Sequence, residues 1–409
     1  MVAALACYAF LKKASYNILD PLIVQAIFLP FSASLLFVLC ATHLIPWGKF
    51  LLFSACMLGY LLGARVVTSR FRRGVFRERL NAVVSGFTRA ELNALLLFAV
   101  LLTALLALIA LATGGEGNAR QQFQKVFRPV FLLQHGLFLV CLVLLLSRKL
   151  STSRAACWAA ILAALSIPFS GKSVFLPILY WMGLRYFVSG RRLTLRTMAI
   201  SAGLAVLGVG VVAITAYGAS GLGGVARLLG YRLWLSGDVY ILAYQMGALA
   251  TLRSYYHVSF IPYVFHPVTD LVGIRAYQYP LGAMIASEIA GETKLTGPNP
   301  QLPVLLDFFF PDSLLVIFVI AFVIGFLVVG IRAASIPLST SRARFIRLGG
   351  MAAALFAPDA GFVDMEQVWM QLIGIAAIVV LGNLLDLFFR RPALPARGLT
   401  RDAGAPQQA

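Results

Sequence analysis

Apolar residues in this chain come in long, nearly uninterrupted runs, the pattern of segments that cross a bilayer. Runs of spanning length lie near 21 to 41, 92 to 113, 129 to 147, 198 to 217, 313 to 331 and 367 to 389, with shorter ones at 50 to 64, 155 to 169, 173 to 187 and 346 to 357. The expected fold is an all-α polytopic membrane protein with about ten transmembrane helices, within a range of nine to twelve. Residues 1–409 read as one integral membrane domain. The first apolar stretch, Met1 to Leu11, is too short to span and precedes Lys12 and Lys13, the reverse of a signal peptide's charge order. It reads as an interfacial turn or as the remnant of a span that starts upstream.

If all ten runs cross, alternate connections carry Lys12 and Lys13, Arg65 to Arg89, Arg148 to Arg154, Arg185 to Arg196, Arg332 to Arg347 and the tail 390–409. Those segments hold 24 of the 34 lysines and arginines, leaving 10 for the other side. The positive-inside rule then assigns both termini and the tail to the cytoplasm. On the opposite side one connection dominates, residues 218–312, and loops of that length usually carry function. An outer loop has no ready access to nucleotides.

Composition agrees with the pattern: 60% hydrophobic and 12% charged residues describe a membrane protein. The net charge of +19 could point to nucleic acid, but the cations stand in short clusters beside apolar spans, which is an orientation signal, so no nucleic-acid partner is expected. All five cysteines, Cys7, Cys40, Cys56, Cys141 and Cys157, fall in apolar segments without metal-like spacing. Neither a metal site nor a disulfide framework is expected.

Within the long loop, residues 223–252 have helical periodicity, and 279–291 read as a short helix started by Pro280. Arg227, Arg232, Arg253, Arg275 and Lys294 face six acidic residues, Asp238, Asp270, Glu288, Glu292, Asp307 and Asp312, so the loop is near neutral and its cations are not there for orientation. Arginine forks match phosphate or diphosphate; the alternative is salt bridging inside a folded loop. Nine of the 14 tyrosines lie between Tyr217 and Tyr279, Tyr231 and Tyr240 among them. They could stack on sugars or form an interfacial belt.

Gln134 and His135 sit one to two turns inside a span, where a polar group is a functional candidate or an interhelical hydrogen bond. His257 and His266 are candidate bases near neutral pH. The turn "SGKS" (170–173) lacks the leading glycine of a phosphate-binding loop, which leaves Lys172 as a candidate anion contact. Pro298 and Pro300 hold Asn299 in an extended turn, where its amide can face a sugar hydroxyl. The following "LPVLLDFFF" is expected at the membrane surface, before Pro311 and Asp312 start the next span.

Taken with the midway unit "IPFSGKSVFLPILYWMGLRYF", the loop opening "RLLGYRLWLSGDVY" and the loop closing "GPNPQLPVLLDFFFPDSLLVIF", this layout resembles the Wzy-type oligosaccharide repeat-unit polymerases of bacterial surface polysaccharides. Lys172 stands where that family's midway unit carries a basic residue. Arg227, Arg232, Gly237 and Asp238 match its loop opening. Pro298, Asn299 and Pro300 match its closing turn, while "FFFPD" replaces the family's aromatic-Gly. The resemblance implies a membrane-embedded, GT-C-like glycosyltransferase of the inner membrane, acting on the periplasmic side without cofactor or metal. Donor and acceptor would both be polyprenyl-diphosphate-linked oligosaccharides, and a chain-length regulator protein is a further partner it admits. Arg232, Arg227 and Lys172 would stabilise charge developing on the diphosphate. Asp238, Glu288 or His257 would take the acceptor's proton, or Asp238 would be a structural partner of Arg232. Arg253, Arg275, Asn299, Tyr231, His257 and His135 complete the expected substrate-binding set. An O-antigen ligase shares the layout and donor, and a lipid-linked oligosaccharide transporter is a rival of a different class.

Overall fold

A computed structural model describes residues 8–113, 128–170, 175–191, 238–269, 281–292, 301–338, 341–356 and 365–389, apart from a few single positions. The described residues are helical, with no strand among them. In chain order the longer elements are α1 (Pro21–Ala41), α2 (Trp47–Thr68), α3 (Arg73–Ser85), α4 (Arg89–Thr113), α5 (Arg128–Leu144), α6 (Thr152–Ser170) and α7 (Phe175–Ser189). Short helices follow: α8 (Asp238–Tyr240), which runs into a π-helical turn at Ile241–Gln245, then α9 (Ala248–Tyr255), α10 (Phe260–Thr269), α11 (Leu281–Ala290) and α12 (Leu302–Phe309). The chain closes with α13 (Leu314–Leu338), α14 (Arg344–Phe356) and α15 (Met365–Phe389).

Among the described residues, four helices are long and apolar enough to cross a membrane, over Trp47–Thr68, Arg89–Ile109, Leu314–Ala334 and Val368–Asp386. Their outward faces carry Leu58, Leu101, Leu108, Leu315, Leu327 and Val380, all exposed, as lipid-facing side chains would be. The sequence expectation of a helical membrane protein therefore holds. The expected span at 198–217 lies almost wholly outside the described residues.

Helix starts follow local chemistry. Asp20 caps α1, its carboxylate accepting from the Leu22 N–H at 3.0 Å, and Pro21 occupies the first helical position. Thr88 and Glu91 form a reciprocal capping box at α4: Thr88 N–H donates to Glu91 at 2.8 Å and Glu91 N–H to the Thr88 hydroxyl at 3.2 Å.

Packing between the crossing helices relies on glycine. α2 and α13 run parallel, Lys49 meeting Asp312 at their starts and Gly63 meeting Phe322 further along. A Cβ on Gly59, Gly63 or Gly325 would strike a backbone carbonyl of the partner helix. "GYLLG" (59–63) is the small-xxx-small spacing that lets helix backbones approach in lipid. Gly136 of α5 and Gly374 of α15 meet the same way. Among the described residues, most of the buried apolar side chains fall into two groups, one built on α1, α2, α13 and the short helices, the other on α3 to α7, α14 and α15.

Two expectations change. Arg332, expected in an inner connection, lies within α13 and is fully buried, because Asp20 and the Ala354 carbonyl satisfy its guanidinium there. The helix expected over 223–252 is broken at Gly247, whose φ of 73° suits glycine, and 225–237 lie outside the described residues. "LPVLLDFFF" forms α12, which is enclosed by protein from Leu302 to Phe308, covered by Tyr256, Phe260 and Tyr263.

Basic residues at the end of the bundle opposite Lys49 also have structural work. Arg185 donates to the carbonyls of Leu145 (3.1 Å), Ser147 (2.9 Å) and Leu150 (2.8 Å), just past the end of α5. Lys149 donates to the Ser85 carbonyl at the end of α3, and Arg344 bridges Glu91 and Asp386. Cations that satisfy carbonyls left over at helix C-termini complement the helix dipole.

Candidate functional site

The short helices α8, α9, α11 and α12 gather over the starts of α2 and α13, and a buried ionic cluster forms where they meet. Its centre is Asp307, a lone acid in the apolar α12 with a fully buried side chain. Lys49, in the first turn of α2, donates to both carboxylate oxygens at 3.2 and 3.0 Å, and reaches Asp312 at 3.1 Å. Arg253 of α9 stands 3.2 Å from the Asp307 carboxylate. It also donates to the carbonyls of Asp307 and Phe308, at the end of α12. Two cations thus enclose one desolvated carboxylate, the arrangement a buried charge requires.

Aromatic and amide groups line the same place. Tyr240 and Tyr244 stack at 6.1 Å between ring centroids, and the Lys49 ammonium lies 5.4 Å from the Tyr244 ring. The buried Tyr240 hydroxyl donates to the Gln301 side chain at 2.7 Å, and Gln301 donates to Ser32 of α1 at 2.9 Å. Burial, and then the Asp307 charge beside it, raise the Tyr244 phenol well above its ordinary pKa. Tyr244 lies in the π-helical turn, a rare conformation that often marks functional positions. Asp312 adopts φ 56°, an uncommon backbone for a non-glycine residue, with its side chain mostly exposed.

Of the expected site residues, only Arg253 joins this cluster, and its guanidinium is spent on Asp307 and the α12 carbonyls. His257 is exposed just after α9. His135 is half-buried on α5, which belongs to the other helix group; its neighbour Gln134 donates to Ser166 of α6 at 3.0 Å, an interhelical hydrogen bond. Asp238 begins α8, but its side chain is outside the described residues. Arg227, Tyr231, Arg232, Lys172, Arg275 and Asn299 also lie outside them.

Sequence reading passed over Lys49, Asp307, Tyr244, Gln301 and Ser32 as site residues. The available signal was Asp307 itself, a single acid in an apolar run, which demands a partner wherever it is buried. Its partner Lys49 is 258 residues away. Comparison with protein-family models, curated proteins and solved structures finds no match to this chain.

Proposed function

We propose that this protein is a membrane-embedded glycosyltransferase that polymerises polyprenyl-diphosphate-linked oligosaccharide repeat units at the outer end of its helix bundle. The reading takes about ten spans, a GT-C-like architecture, an inner-membrane location with cytoplasmic termini, and a periplasmic site in the loop 218–312. The observation that carries it is the seating of that loop: α8, α9, α11 and α12 dock on α1, α2 and α13 through Asp307, Lys49, Arg253 and Gln301. Polar, cationic and aromatic groups then stand where apolar bundle gives way to water. A substrate with a lipid tail, a diphosphate and a glycan needs that boundary.

In this reading Arg227, Arg232 and Lys172 stabilise charge on the diphosphate leaving group, and Asp238 or His257 takes the acceptor hydroxyl proton. Arg253 and Asp307 hold the loop in place, while Arg275, Asn299 and Tyr231 contact the glycan.

The test is elongation of lipid-linked oligosaccharide by the purified chain in detergent, repeated with Arg227→Ala and Arg232→Ala. A ladder of products that both substitutions abolish supports the reading. Full activity in both variants overturns the residue roles. Transfer of a finished chain to a lipid acceptor without elongation identifies a ligase, and uptake without elongation a transporter.

A further inference from the structure

The end of the bundle opposite the ionic cluster holds a basic cavity that the glycosyl-transfer reading does not use. Its volume is about 490 Å³, and it opens between the segment before α1 and the junction of α2 with α3. Lys12, Lys13 and Arg73 line it, with Tyr8, Ser69 and Phe71. The other bundle-end cations described above are engaged: Arg185 and Lys149 hold carbonyls, and Arg344 holds two carboxylates. Among the described residues, by contrast, no acidic side chain pairs with Lys12, Lys13 or Arg73. Three exposed cations converging on one concavity without a counter-charge create a local positive potential that favours an anion.

Depth selects the kind of anion. α2 has 22 residues, about 33 Å at the helical rise, enough to cross the hydrocarbon core from Trp47 to Thr68. Its end is therefore at the level of lipid headgroups, and that is where the cavity opens. Phe71 is nearly buried and Tyr8 is part-exposed, giving the cavity an apolar wall beside its cations, as suits a headgroup joined to a glycerol backbone. α3 starts at Arg73 with no side-chain cap and no acid in its first turn, so its free N–H groups add donors at the rim.

We propose that this cavity is a binding site for the phosphodiester headgroup of an anionic phospholipid, held by Lys12, Lys13 and Arg73. The proposal is independent of the glycosyl-transfer reading.

The experiment reconstitutes the full chain in mixed phosphatidylcholine and phosphatidylglycerol vesicles, extracts it, and measures retained phosphatidylglycerol by native mass spectrometry. The variant Lys12→Gln, Lys13→Gln, Arg73→Gln is compared with Arg79→Gln, Arg89→Gln, Arg154→Gln, which removes equal charge from exposed positions outside the cavity. The cavity variant is expected to lose about tenfold or more of the retained lipid, with the control near native level. Equal loss in both would mean a diffuse field, and no loss in the cavity variant would mean no site; either overturns the proposal. Displacement of the lipid by low millimolar inorganic phosphate would make this a soluble-anion site and overturn the lipid assignment. If the triple variant does not elute as a monodisperse peak, Lys13→Gln and Arg73→Gln singly carry the same test.

Discussion

Arg332 and Asp20, 312 residues apart, form a fully buried two-pronged ion pair with both prongs at 2.7 Å. Arg332 Nε donates to the Ala354 carbonyl at 2.9 Å, and the Tyr16 N–H donates to Asp20 at 2.8 Å. One pair therefore ties the start of α1 to α13 and α14. Removing one partner strands a charge, so Arg332→Met or Asp20→Leu alone should cost about 3–5 kcal/mol, while the double substitution should recover much of the loss. Thermal unfolding in detergent measures all three variants, and a double variant no better than the worse single one would contradict the coupling.

Glycine has opposite meanings at the two ends of α2. A side chain at Gly48 meets open space, whereas one at Gly63 meets the Phe322 carbonyl and the Phe326 backbone. Gly63→Ala should destabilise by about 1–3 kcal/mol through forced separation of α2 from α13. Gly48→Ala should be close to neutral. The same melting assay reads both, and equal effects would argue against the close approach.

Lys49 contacts two carboxylates of unequal weight. Asp307 is buried and Asp312 mostly exposed, so Asp312→Ala should cost less than about 1 kcal/mol. Lys49→Met leaves Asp307 with Arg253 alone and should cost about 3 kcal/mol or more. Limited proteolysis of the short helices reports their release from the bundle: rapid cleavage is expected for Lys49→Met and not for Asp312→Ala.

Tyr255 donates to Glu288 at 2.5 Å, and this hydrogen bond to a carboxylate, more than burial, pushes its phenol up to about 12. Because the unfolded phenol ionises near 10, the folded state holds the proton longer. The contribution is complete below about pH 10 and is lost as pH rises towards 12. Absorbance titration near 295 nm should show a late-ionising tyrosine that Tyr255→Phe removes; an unchanged titration would contradict the Tyr255–Glu288 bond.

Much of the helix inventory was legible because it depends on neighbours in sequence. Apolar runs marked α1, α2, α4 to α7 and α13 to α15, and Pro280 marked α11. The site was less so. Arg253 was singled out for its fork geometry, but whether that fork faces a substrate or a buried acid depends on where α12 docks. Arg227, Arg232 and Asn299 rest on the sequence alone, since 225–237 and 293–300 lie outside the described residues.

The sequence by itself determined that this chain is a helical membrane protein, since hydrocarbon tolerates few charges over twenty residues and that demand is written locally. The alternation of its basic clusters likewise set the expected orientation. Only the tertiary structure decided which charges are buried and with whom. Arg332 reads as a loop cation until α13 is seen to carry it to Asp20, and Asp307 reads as an ordinary loop acid until α12 brings it to Lys49 and Arg253. Those pairings join distant parts of the chain, and the energy of a buried ion depends on the partner that packing delivers, which no local pattern encodes.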